Sequence, residues 1–487
     1  MGETAGRRVE DVDPLTVGFD LDMTLIDSRP GIAAVYDALS AETGVPIDSQ
    51  LAVSRLGPPL THELANWFPA DEVEALADRY REFYPELAVP STIFLPGAQE
   101  AIDAVRAHGG RVVVVTGKHG PNAQLHLDHL DLEVDGLAGG LWAEEKAVAL
   151  REFGAAVYVG DHLSDVMAAR AADALAVGVA SGPISAAELR AGGADVVLDD
   201  LHSFPAWLDG YVLDQQLGAL HAELAGLGGV LVAFSGGTDS AFLLAAAVRA
   251  LGADRVVAAT AVSPSLPAAE LEQAAAFASG LGVRHLTPAT DELSRDGYVA
   301  NAGDRCWHCK AELLDVLAPL AAELGLPRVA TGTNADDAVA GFRPGIRAAA
   351  ERGAVTPLRD AGLTKAQVRA ASARWGLVTA DKPAAACLSS RIAYGVRITP
   401  VRLARVECAE AALRHALAEA GLPAENLRVR DLGDTAKVEV DAALVDELTA
   451  RPELLAAVEG FEHVVVDPRG FRSGAMNELL DDPGRYR

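Results

Sequence analysis

Two carboxylates, Asp20 and Asp22, stand directly after the apolar run 15–19. Side chains at i and i+2 leave a strand on the same side, so both can address one phosphorus atom. One can bind Mg2+ and attack, while the other moves the proton. A second stretch, Ser235-Gly236-Gly237-Thr238-Asp239-Ser240, lies near the midpoint between an apolar run and the helix-forming residues 241–248. Strand, glycine turn and helix N-terminus make an anion cradle. Backbone N–H groups and the helix dipole converge there, and glycine lets a phosphate approach closely. Ser235, Thr238 and Ser240 add hydroxyl donors. The spacing differs from the GxxxxGK[ST] loop that grips β- and γ-phosphates. The third set is sulfur: Cys306-x-x-Cys309, and Cys387 four residues before Arg391. The thiolate is the reactive form, and cations such as Lys382 and Arg391 favour it.

Placing these groups requires buried strands that end at the chemistry. Residues 111–115 read as such a strand and end in Thr116-Gly117, where a hydroxyl can hold a phosphoryl oxygen. Residues 155–160 run into Asp161 and Asp165, a further acidic pair suited to Mg2+ through hard oxygen ligands. Lys146 can neutralise carboxylate and phosphate charge. In the second half, strands over 255–262, 284–288 and 328–331 precede Ser263-Pro-Ser-Leu-Pro267 and Gly332-Thr-Asn334-Ala-Asp336-Asp337. Ser263 marks a strand end where an adenine can rest against backbone. Alternation of strand and helix predicts parallel sheets with ligands at the strand carboxyl ends. Residues 31–43 and 71–84 read as amphipathic helices. A helix over 213–224 leads into the glycine-rich loop, and a domain boundary is expected between 200 and 215. Arg428 and Arg430 alternate on a strand, so they share a face and can grip a phosphate. Cys408, within the helix-like stretch 401–418, reads as a packing residue.

At 487 residues the chain has room for about three domains. Half its residues are hydrophobic, but no apolar run approaches a membrane span. The first eight residues lack an apolar signal core, and four cysteines do not make a disulfide framework, so a cytoplasmic setting is expected. Lys plus Arg less Asp plus Glu is 41 − 69 = −28, a balance that repels nucleic acid overall. Small-molecule substrates are expected, with no nucleic acid and no membrane partner; a homo-oligomer is left open.

The first half resembles the haloacid dehalogenase (HAD) superfamily, in a layout similar to its phosphoglycolate phosphatase-like branch. Asp20-Leu-Asp22-Met-Thr is similar to the family's first motif, and Thr116, Lys146 and Asp161/Asp165 follow in its order. The resemblance implies a Rossmann-like core with a helical cap inserted at about 30–90. It also implies Asp20 as nucleophile and Asp22 as general acid/base. Thr116, Gly117 and Lys146 would sit on phosphate, and Asp20, Asp22, Asp161 and Asp165 on Mg2+.

Ser235–Ser240 resembles the PP-loop of the ATP pyrophosphatases, which split ATP to AMP and pyrophosphate. Ser263, Gly332, Asn334 and Asp336 would then join the loop around ATP. Phe342-Arg-Pro-Gly345, the Lys382–Arg391 segment and the tail Asp467–Glu478 narrow the likeness to LarE-type sulfur transferases of nickel-pincer nucleotide synthesis. That family adenylates a pyridinium dicarboxylate mononucleotide and inserts sulfur, with Arg391, Arg428 and Arg430 expected on the substrate. Two sulfur sources stay open: sacrifice of Cys387, or a [4Fe-4S] cluster on Cys306, Cys309 and Cys387. The PP-loop alone also fits tRNA thiolation or an amidating ligase of the GMP or NAD synthetase kind. The expected organisation is an α/β HAD-like domain over 1–205 and an adenine nucleotide alpha hydrolase-like PP-loop domain over 213–395. A smaller α+β subdomain would occupy 396–487.

Overall fold

A computed structural model describes residues 14–339, 344–383, 386–472 and 474–479. Phe342, Arg343, Ala384, Ala385 and Ser473, from three of the quoted motifs, lie outside them. The chain divides into two compact units between Val212 and Leu213.

The first unit carries β1 (Thr16–Phe19), β2 (Ile26–Asp27), β3 (Ile93–Phe94), β4 (Arg111–Val115), β5 (Gly136–Ala138), β6 (Val157–Gly160), β7 (Leu175–Val179) and β8 (Val196–Leu198). Six of them form one parallel sheet in the order β5-β4-β1-β6-β7-β8. Helices cover both faces of such a sheet, so its central strands are continuously apolar; β1 and β6 are buried at every residue. β1 lies between β4 and β6, with Phe19 opposite Val114 and Val159. That order brings the carboxyl ends of these three strands to one edge, which sets Asp20, Thr116 and Asp161 side by side.

The antiparallel pair β2–β3 carries the cap. Helices Arg29–Thr43, Ser49–Val53, Leu60–Leu64 and Val73–Leu87 pack around their own core, including Val35, Tyr36, Leu39, Leu64 and Ala77. The helix expected to stop at Tyr84 runs through Pro85 to Leu87. A proline in the last turn removes one terminal hydrogen bond, and packing offsets that.

Gly97 shows a close approach the fold depends on. Its φ is +83°, and a Cβ there would stand 2.1 Å from the His202 amide nitrogen. Gly97→Ala is expected to destabilise the first unit by about 3 kcal/mol through left-handed strain and overpacking. The check is a lowered calorimetric unfolding temperature.

The helix expected over 213–224 runs Phe204–Leu227. Pro205 sits in its first turn, where the missing N–H costs nothing. Phe204 and Leu208 join the first unit's core, whereas Leu213, Leu220 and Leu224 join the second's.

The second unit has β9 (Val230–Ala233), β10 (Val256–Ala259), β11 (Arg284–Leu286) and β12 (Val329–Thr331), parallel in the order β11-β10-β9-β12. β9 is flanked by β10 and β12, so the glycine loop, Thr260–Ser263 and Gly332 meet at one edge. Beyond residue 396, β13 (Leu427–Asp431), β14 (Thr435–Val440) and β15 (His463–Val466) form a separate three-stranded sheet. Helix Pro400–Glu419 packs on it through Ala409, Leu413 and Leu417. Cys408 points away from that core and is exposed, contrary to its reading as a packing residue. Among the described residues, no helix is long and apolar enough to cross a membrane.

Candidate active sites

In the first unit, carboxylate oxygens of Asp20, Asp161 and Asp165 lie within 4.8 Å of one another. Lys146, on helix Glu144–Phe153, bonds Asp165 at 2.6 Å and stands 3.3 Å from Asp20 Oδ1. That oxygen is buried and accepts no hydrogen bond. Burial, reinforced by Asp165 and opposed by Lys146, pushes the Asp20 carboxyl up to about 6. The same causes raise Asp161 well above the usual carboxylate range. Three crowded acids with one lysine leave excess negative charge that a divalent cation would neutralise. Backbone makes way for them: a Cβ on Gly182 would fall 1.8 Å from Asp161 Oδ2.

The Asp22 carboxylate, also expected on Mg2+, is not among these three. It takes a hydrogen bond from Ser28 and an ion pair from Lys118 Nζ at 3.0 Å. Lys118 also bonds the Tyr84 hydroxyl at 2.5 Å, and Tyr84 meets the buried His126 at 2.9 Å. Asp20, Asp22, Thr116, Gly117, Lys118, Lys146 and Asp161 all line one cavity of about 330 Å³.

In the second unit, Ser235, Gly237, Asp239, Ser240, Ser263 and Gly332 line a cavity of about 370 Å³. Gly236 has φ +73°, which turns the loop into helix Thr238–Leu251. No side chain caps that helix, so its first N–H groups remain available to an anion. Gly332 is needed for contact: a Cβ would lie 2.8 Å from the Ser240 nitrogen. Thr238 is buried and donates to the Thr379 carbonyl at 3.0 Å. Asp239 pairs with Lys365 at 2.7 Å. Asn334 and Asp336 do not line the cavity. Asn334 accepts from the Asp337 amide, and Asp336 accepts from the Lys365 amide.

An adjoining cavity of about 600 Å³ is lined by Arg305, Cys306, Cys309, Cys387, Arg428 and Arg430, among others. Cys306 and Cys309 occupy the first two turns of helix Arg305–Glu323, and i,i+3 spacing puts them on one face near its positive end. Cys309, Lys310 and Cys387 line both cavities. None of the four cysteines forms a disulfide. Burial, with Cys387 nearby, pushes the Cys309 thiol up. Burial and the neighbouring Arg391 push Arg428 down to about 10. Arg430 is held by Glu439 at 2.7 Å.

Arg391 lines neither cavity. Its guanidinium pairs with Glu410 at 2.9 Å and donates to the carbonyls of Ala386 and Cys387, so it holds the backbone that presents Cys387. Lys382 is likewise engaged, by Glu270 at 2.7 Å and the Gly236 carbonyl at 3.1 Å.

The haloacid dehalogenase-like hydrolase family matches residues 17–170, and a further HAD-hydrolase-like family matches 143–204. Phosphoglycolate phosphatase of Chromobacterium violaceum is 32% identical over 211 residues, covering 38% of this chain and 92% of its own. Pyridinium-3,5-bisthiocarboxylic acid mononucleotide synthase of Lactiplantibacillus plantarum is 35% identical over 264 residues, 54% of this chain and 93% of its own. The chain belongs to both families, as a fusion of a HAD domain with a LarE-type domain. An uncharacterised protein of Synechocystis sp. is 39% identical over 274 residues, 55% of this chain and 99% of its own.

In the HAD domain, sequence reasoning missed Lys118, although it directly follows Thr116-Gly117. In the LarE-type domain it passed over Arg305 and Lys310. Both flank the CxxC motif, so charge beside sulfur was the available signal.

Proposed function

We propose that the chain carries two activities: a Mg2+-dependent phosphohydrolase in the HAD domain and an ATP-dependent sulfur transferase in the LarE-type domain. The observation that carries the second is the position of Cys387 on the wall of both the glycine-loop cavity and the arginine-lined cavity. The name of the Lactiplantibacillus relative supports a pyridinium dicarboxylate mononucleotide as substrate. The glycine loop and its helix N-terminus would hold the ATP phosphates. Arg428 and Arg430 would hold the substrate phosphate and direct a carboxylate at the α-phosphorus. Attack there forms an acyl-adenylate and releases pyrophosphate, whose charge the loop stabilises. Lys310, at the junction, would balance negative charge on both sides. An arginine-lined cavity in so acidic a chain suits a small anion better than tRNA.

Three thiols on one cavity favour the cluster as sulfur source. Cys306, Cys309 and Cys387 are suited to holding [4Fe-4S] with one iron open, and when bound it would carry an added sulfide, beyond its own, that replaces oxygen. Anaerobic purification with iron analysis, followed by intact mass after ATP and substrate, tests this. Iron with unchanged protein mass is expected. A loss of roughly 34 Da, one molecule of hydrogen sulfide, would establish cysteine sacrifice instead.

In the HAD domain, Asp20 would attack phosphorus, Asp22 would carry the proton, and Thr116 and Lys146 would bind phosphoryl oxygens. Asp20, Asp161 and Asp165 would hold Mg2+, which when bound offsets their charge and that of the phosphate. The raised carboxyls give a sign for its pH dependence. Between the ordinary value of 3.8 and about 6, folded Asp20 keeps a proton that the unfolded chain has lost. Stability without metal therefore falls as pH rises through that window, and Mg2+ must displace protons below it. The rise in unfolding temperature on adding Mg2+ is expected to be larger at about pH 7 than at about pH 5. Scanning calorimetry with Mg2+ and with chelator checks it.

A further inference from the structure

We infer that the HAD site takes inorganic pyrophosphate, the co-product of carboxylate adenylation, and splits it into two orthophosphates. This inference rests on the phosphohydrolase and ATP-cleaving readings above and adds the substrate.

The HAD cavity has a further wall beyond the acidic group. From the cap it is built by Tyr36, Arg55, Tyr80 and their neighbours. Tyr36 is 3% exposed and Tyr80 5%. Their rings pack 5.1 Å apart, yet among the described residues neither hydroxyl has a hydrogen-bond partner. Neither hydroxyl is among the buried polar atoms left without a partner, so both open onto the cavity, where a bound group can accept from them. Glu63 is the one carboxylate the cap places in this lining, and Arg55 at 2.6 Å and the Trp67 indole at 2.9 Å already bind it. From the core side comes the Lys118 ammonium, buried and fixed by Tyr84 and Asp22. The wall therefore offers two hydroxyls free to donate, beside an arginine and a lysine that are already ion-paired. A group made only of acceptor oxygens, a phosphate or a carboxylate, matches this wall.

Between those two, the chain's own chemistry decides. Adenylation of a carboxylate releases one pyrophosphate per turnover and is readily reversed. Removing that product on the same polypeptide would draw adenylation forward, with no contact between the two units required. The step balances. An Asp20 oxygen attacks one phosphorus, the P–O–P bridge breaks with its electron pair on the bridging oxygen, and Asp22 protonates the departing orthophosphate. Asp22 then takes a proton from water, which attacks the aspartyl phosphate and frees Asp20. One pyrophosphate and one water become two orthophosphates, with no oxidant or reductant.

The test measures orthophosphate released by the full chain with Mg2+ from pyrophosphate, 2-phosphoglycolate and p-nitrophenyl phosphate. Pyrophosphate is expected to have the highest kcat/KM. Tyr36→Phe, Tyr80→Phe and Arg55→Met should each lower kcat/KM for pyrophosphate roughly tenfold more than for p-nitrophenyl phosphate, the scale of one charge-assisted hydrogen bond. A preference for 2-phosphoglycolate would overturn the inference in favour of a carboxylate at the same wall. Equal losses on all three substrates would overturn the subsite. Failure to hydrolyse any of them would overturn it together with the phosphohydrolase reading. A separate arm supplies ATP and the carboxylate substrate: wild type should release orthophosphate, and Asp20→Asn pyrophosphate. If neither protein consumes ATP, the adenylation reading fails and pyrophosphate loses its source in this chain, which overturns the inference even where added pyrophosphate is split.

Discussion

Cys387→Ser is expected to abolish sulfur transfer, by at least about a thousandfold, while ATP–pyrophosphate exchange dependent on the carboxylate substrate persists. The residue stands where the two cavities of the LarE-type domain join, so it can reach an acyl carbon activated on the nucleotide side. Serine keeps the size but provides neither a thiolate nor a sulfur ligand to iron. The loss is therefore expected from either sulfur source, and the surviving exchange separates chemistry from folding. The backbone at this position is held independently of the thiol: the Leu388 amide donates to the Ser265 carbonyl at 2.9 Å, and Arg391 bonds the Cys387 carbonyl at 3.0 Å. Product mass and exchange measured on one preparation check both halves. An unchanged overall rate would favour an amidating ligase, which needs no cysteine.

Asp20→Asn should lower phosphate release from any substrate of the HAD domain by about a thousandfold or more, without loss of folded protein. The amide is close to isosteric with the acid but cannot attack phosphorus. It also removes one of three crowded carboxylates, leaving Lys146 paired with Asp165 at 2.6 Å. The metal-free variant is therefore expected to unfold at the same temperature as wild type or higher at neutral pH. Lys146→Met should behave differently. It leaves Asp20, Asp161 and Asp165 with no cation among them, a loss of about 3–5 kcal/mol in the metal-free state. Calorimetry of the two variants with chelator distinguishes a nucleophile from a charge-balancing residue.

Much of both sites was legible because each piece sits at the end of a strand. Asp20, Thr116, Asp161, the glycine loop and Gly332 each follow a short apolar run, and parallel sheets place such ends at ligands. The CxxC spacing was equally local, although the helix that sets both thiols on one face came from the structure. Helix limits were less legible where packing overrode punctuation. Pro85 failed to end its helix, and the helix through the unit boundary begins at Phe204 because its first turns bury Phe204 and Leu208.

The amino-acid sequence by itself determined the two α/β modules, the positions of the acidic residues at the strand ends, the glycine loop and the three cysteines. These are written in residue type and short spacing, which chain connectivity preserves. Only the tertiary structure decided what each side chain faces. It gave Asp22 to Lys118 and Ser28 rather than to the acidic cluster, and turned Arg391 onto Glu410 and the Cys387 backbone while leaving Arg428 and Arg430 in the cavity. It left Cys408 in solvent, joined Tyr84 of the cap to Lys118 of the core, and set Cys387 on two cavities at once. The physical reason is common to all of these. A partner's identity depends on which strands become neighbours and which loops meet across them, and those distances in space have no counterpart in distance along the chain.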